Sequence, residues 1–147
     1  MIKYFLKTGD EDVSKMFSPY VWQTNGLATL FERTFLNKDY GADLKLLLIM
    51  YYVEGRFDIN GPQNAKVNNY SNKNKDISVA IAVTPELFHN KNEFERRKFI
   101  VDSTLNAVKL VRNKLEKRKL DIDFDLLVSD ITIASSEFLK HQKLIAP

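Results

Sequence analysis

The chain has no cysteine among its 147 residues. That excludes disulfides, a thiolate nucleophile and cysteine-ligated zinc. It has two histidines, His89 and His141. One lies in a connection and the other near the C-terminus, so both read as surface residues rather than metal ligands. Five glycines leave little room for a phosphate cradle. The sequence has no GxSxG elbow, P-loop, dinucleotide glycine pattern or HExxH helix. Its longest apolar run, "LLLIMYYV" at residues 46–53, is far short of the roughly 20 residues that span a bilayer. Charge interrupts "MIKYFLKTGDEDV" too early for a secretory signal core. The expectation is a cytoplasmic protein with no membrane partner, no cofactor, no metal and no catalytic residues.

What is present is ordinary for a folded chain. With 44% apolar and 28% charged residues, it is neither disordered nor fibrous. There is no internal repeat or proline-rich linker, so residues 1–147 read as a single domain. "IKYFLK" alternates as a strand does. Residues 10–20 read as a loop with room for one helical turn. Thr24 or Asn25 is placed to cap a helix carrying Leu27, Leu30, Phe31 and Phe35. "LKLLLIMYYVEGRF" fits helix or strand; its short apolar run, Tyr-Tyr-Val and following glycine favour a buried strand. "NGP" at 60–62 is a turn, and "NNYSNKNKD" a polar loop or hairpin end. "ISVAIAV" alternates Ile77, Val79, Ile81 and Val83 with small residues. This is the clearest strand, and its small face leaves room for a helix to pack.

"TPELF" predicts a short helix, with Thr84 at the cap and Pro85 at the first position. Asn92 and Glu95 form a capping-box pair opening a long helix over about residues 92–118. Its apolar stripe runs through Val101, Leu105, Val108, Val111 and Leu115. A last helix is expected over about 124–139, with Phe124, Leu127, Val128, Ile131, Ala134, Ser135 and Phe138 on one face. The fold class read from this layout is α+β: an antiparallel sheet of three to four strands, with the long helix and the C-terminal helix packed on one face.

Charge is distributed unevenly. Residues 91–120 hold ten Lys/Arg against four Asp/Glu, whereas residues 121–139 hold five acids and no base. Two adjacent helices of opposite sign can pack as a hairpin and neutralise each other. Alternatively, they present a two-signed surface with its acidic end offered to a basic partner.

The acidic half begins with "LDIDFD", which sets Asp121, Asp123 and Asp125 at alternate positions. The spacing matches the first ligands of an EF-hand. Leu126 stands where that loop needs glycine, however, and Thr132 where it needs a bidentate glutamate, so calcium is excluded. As a helix start, Asp123 is the cap and Asp125 sits in the first turn, facing the positive end of the dipole. As a strand, all three would line one face. In either reading some acidic surface survives.

A strand "ISVAIAV", a long helix "FERRKFIVDSTLNAVKLVRNKLEKRK" and an aspartate-rich step "LDIDFDLLVSDI" opening a final helix follow one another. A "YYVEGRF" strand lies upstream. Over roughly residues 44–139, this layout resembles the small bacterial immunity proteins of polymorphic-toxin and contact-dependent growth inhibition systems. The resemblance implies a non-enzymatic protein that binds a cognate toxin domain tightly and blocks its active site or its access to a cofactor. On that reading Asp121, Asp123 and Asp125 are the candidate partner-binding residues. Two alternatives stay open: a nucleic-acid-associated module using the basic 109–119 face, and an enzyme with a scattered site. "EGRFDIN" does not give the basic residue, glycine and interleaved aromatics of a ribonucleoprotein strand in their set order, and the basic run alternates with core positions. Nucleic acid is therefore not the expected partner.

Overall fold

The computed structural model describes residues 3–8 (backbone only), 30, 33–35, 38–54 and 64–140. The 10–20 loop, the Thr24 or Asn25 cap, Phe31, the 60–62 turn and His141 lie outside these residues. Four strands, β1 (Lys3–Thr8), β2 (Leu46–Val53), β3 (Ala65–Val67) and β4 (Asp76–Val83), form one sheet in the order β1-β2-β4-β3. Three helices follow: α1 (Pro85–His89), α2 (Glu93–Leu115) and α3 (Phe124–Lys140).

The α+β class holds, but the sheet is mixed rather than antiparallel. Strands β1 and β2 run parallel, as do β2 and β4, and only β3 is antiparallel to β4. The physical reason lies in β2. A strand with parallel neighbours on both edges is covered on both faces and reads as an uninterrupted apolar run. "LLLIMYYV" is such a run: Leu47, Ile49 and Tyr51 are buried, and Leu46, Leu48, Met50 and Tyr52 between them are half-buried. The polar "NNYSNKNKD" is the expected hairpin end, between β3 and β4.

Strand β4 buries Ile77, Val79, Ile81 and Val83, its branched positions. Helix α2 lies on this branched side rather than on the small Ser/Ala side. Tyr51, in register with Ile81, meets Phe99 of α2 with ring centroids 6.4 Å apart. The apolar surface removed from water is larger on the branched face, and burial scales with area.

Asn92 caps α2 in a full capping box: its side chain accepts from the Glu95 N–H, and Glu95 accepts from the Asn92 N–H. Helix α3 packs against α2 and buries Leu127, Ile131, Ala134, Ser135 and Phe138. Arg97 is fully buried between the helices' side chains. It pairs with Glu93 at 2.9 Å and lies 5.4 Å from the Phe138 ring centroid. Desolvation lowers its pKa, and the Glu93 carboxylate opposes that shift.

Candidate partner-binding surface

Helix α2 ends at Leu115 with Glu116 as its C-cap, and residues 116–123 lead to α3. Backbone bonds from Arg118 to Leu115, Leu120 to Arg118 and Ile122 to Leu120 tighten this connection. Its sides then attach to different parts of the molecule.

The acidic side attaches to residues 38–45. The Asp121 carbonyl accepts the Asp43 N–H at 3.1 Å, and its carboxylate accepts the Ala42 N–H at 3.0 Å. In return, the Asp121 N–H donates to the Asp43 carboxylate at 2.6 Å. That bond, aided by Lys75 at 3.1 Å, holds the Asp43 carboxyl below its ordinary range. Gly41 makes the approach possible. Its φ is +110°, and a Cβ there would lie 2.1 Å from the Asp121 carbonyl oxygen, so a side chain is excluded. One residue earlier, the buried Tyr40 hydroxyl donates to Asp130 of α3 at 2.6 Å. Burial and the neighbouring carboxylate push its pKa up.

The three sequence-selected aspartates are all exposed, and each has a separate task. Asp121 holds the 42–43 backbone. Asp123 caps α3: its carboxylate accepts the Leu126 N–H at 3.0 Å, and its own N–H donates to the Tyr40 carbonyl at 2.7 Å. Asp125 pairs with Arg112 at 2.7 Å, which raises the Arg112 pKa. In these bonds each carboxylate commits one oxygen, leaving its second oxygen able to accept from a partner. Among the described residues, no three His, Asp or Glu side chains gather into a metal-binding group.

The basic side attaches to the β3–β4 hairpin. Lys114 donates to the Val67 and Asn68 carbonyls at 3.2 Å each. The Arg118 guanidinium lies 5.2 Å from the Tyr70 ring centroid, and the Tyr70 hydroxyl donates to the Asp43 carbonyl. Sequence reasoning missed these contacts. They join residues far apart in the chain, and no local pattern announces them.

The opposite-sign segments therefore neutralise each other only in part. Glu93 pairs with Arg97, Asp102 with Lys98, and Glu116 with Arg112, while Glu95 serves the capping box. That uses all four acids of the basic segment. Lys109, Lys114, Lys117, Arg118 and Lys119 are exposed and pair with no carboxylate among the described residues. Arg112 bridges to the acidic segment through Asp125.

Elsewhere, a cavity of about 300 Å³ on α2 is lined by Lys91, Glu95, Lys98, Phe99, Asp102 and Ser103. His89, exposed at the end of α1, meets Phe88 edge-on at 6.4 Å. Among the described residues, no helix is long and apolar enough to cross a membrane.

A family model for immunity protein 44 matches residues 4–137. The chain belongs to the immunity protein 44 family. No curated protein and no solved structure matched it. The match covers both sides of the 116–125 connection, the hairpin, and helices α1, α2 and α3 up to Glu137. Membership of an immunity family makes a toxin-system partner the frame in which these charges are to be understood.

Proposed function

We propose that this chain protects a bacterial cell by binding a cognate toxin domain and covering its active site or the approach to it, in the cytoplasm and without turnover. The observation that carries this reading is the family match over residues 4–137. The contact-dependent growth inhibition setting belongs to the same proposal. Support also comes from the 116–125 connection. Bonds to residues 38–45 and to the hairpin fix it on both sides, so its charges are held in place before a partner arrives. Preorganised groups lose less freedom on binding. In this reading Asp121, Asp123 and Asp125 are partner contacts, offering their uncommitted oxygens to basic groups on the toxin.

A stable complex of this kind buries roughly 1,200–2,000 Å² in total. The test is co-expression with the toxin domain encoded beside this chain's gene. Cells producing both should grow, and cells producing the toxin domain alone should not. Growth arrest despite soluble chain would contradict the proposal.

A further inference from the structure

We propose that the basic end of α2 and the 68–75 hairpin loop form the main docking surface, and that the toxin face it meets is acidic. This rests on the toxin-binding reading above and adds the surface and the partner's chemistry to it. Three observations converge on it.

The first is the uncommitted charge. Lys117 and Lys119 are exposed and have no carboxylate partner among the described residues, while the acids of the same segment are all engaged. Lys73, at the tip of the adjoining hairpin, is also exposed. A patch of one sign steers a complementary partner and speeds its encounter.

The second is rigidity. Lys114 on the Val67 and Asn68 carbonyls, Arg118 over Tyr70, and Tyr70 on the Asp43 carbonyl tie helix, hairpin and the 38–45 segment together. Arginine and tyrosine are among the residues that most often dominate binding energy, and here they are already stacked.

The third is the flank. Exposed Asp121 and half-buried Asp43 border the basic patch. They would repel a continuous phosphate backbone, which neutralises cations one after another along its length. A protein with an acidic patch beside basic groups meets both signs at once, and that pairing fixes its orientation.

The experiment measures affinity of the purified chain for a catalytically inactive form of the toxin domain encoded beside its gene. The test variant is K117E/K119E, chosen because neither lysine has a carboxylate partner to lose among the described residues. The charge-matched control is K98E/K140E, at the other end of α2 and the end of α3. The dissociation constant of K117E/K119E should rise at least about tenfold, mainly through slower association, and the association rate should lose its salt dependence. The control should stay within about twofold of wild type in affinity, although it gives up the Lys98–Asp102 pair, and K117E/K119E should melt within about 2 °C of wild type. K117E/K119E binding as tightly as wild type would overturn the docking surface and leave the toxin-binding reading intact. Absence of any wild-type complex would sink both. Submicromolar RNA binding at about 0.15 M salt, abolished in K117E/K119E, would reassign the patch to nucleic acid and overturn the acidic-partner claim.

Discussion

On the acidic half of the 116–125 connection every aspartate has an intramolecular partner within 3.0 Å: Ala42 for Asp121, Leu126 for Asp123 and Arg112 for Asp125. On the basic half, Lys117 and Lys119 have no carboxylate partner among the described residues, while Lys114 and Arg118 are turned onto carbonyls and a ring. The acidic stretch is the one that the sequence pattern singles out, yet it is the more occupied one in space. Charge density along a chain does not measure charge available to a partner. Aspartate is short and bonds nearby backbone N–H groups. Lysine is long, and its head stays in water unless a carboxylate lies within reach.

The comparison breaks if the acidic half proves dispensable for folding. Gly41→Ala is the most severe test. Its Cβ would meet the Asp121 carbonyl at 2.1 Å on a backbone of φ +110°. Strain and clash together should cost about 3 kcal/mol or more, read by denaturant unfolding. Tyr40→Phe is next. It leaves the nearly buried Asp130 carboxylate without its 2.6 Å donor, and should cost about 1–3 kcal/mol. A wild-type midpoint in either variant would show that this corner carries little stability.

Smaller effects sharpen the comparison within the aspartates. Asp123→Ala removes a helix cap and should cost about 0.5–2 kcal/mol. Asp125→Ala breaks only an exposed ion pair, worth about 0–1 kcal/mol. Asp125 is therefore the aspartate at which binding and stability separate most cleanly. If toxin affinity falls in Asp125→Ala while melting does not, the acidic contacts stand. Unchanged affinity in all three alanine variants would confine those residues to structure.

The smallest expected effect is on pH dependence. The Asp121 N–H and Lys75 hold the folded Asp43 pKa below its ordinary value. Its contribution to stability is then complete above the unfolded pKa, near about 3.9, and is lost as pH falls through the lower folded value. Thermal melting of Asp43→Asn should therefore fall less steeply than wild type below about pH 4.

Much of the fold was legible because it rests on local periodicity. The capping box at Asn92, the α3 cap at Asp123, the buried stripe from Leu127 to Phe138 and the alternation of β4 all follow from neighbours in sequence. Strand direction was not legible in the same way. It depends on how β1, β2 and β4 are connected, and the continuous apolar run of β2 was the available sign of parallel neighbours on both sides. Three-residue β3 is too short to carry a period. The burial of Arg97 was not legible, because nothing local shows that Glu93 and Phe138 lie against it. In the candidate site the aspartates were visible, but their partners were not. Gly41, Tyr40 and the hairpin carbonyls reach them from distant parts of the chain.

The central claim is that this chain acts by occupying a toxin domain rather than by turning anything over. Its most direct test is a titration of toxin activity against increasing amounts of purified chain. The account predicts a linear fall that reaches zero at a fixed, whole-number ratio, with the two proteins recovered intact as one complex. Loss of toxin activity at ratios far below one, continuing with time, would reveal a catalyst and contradict it.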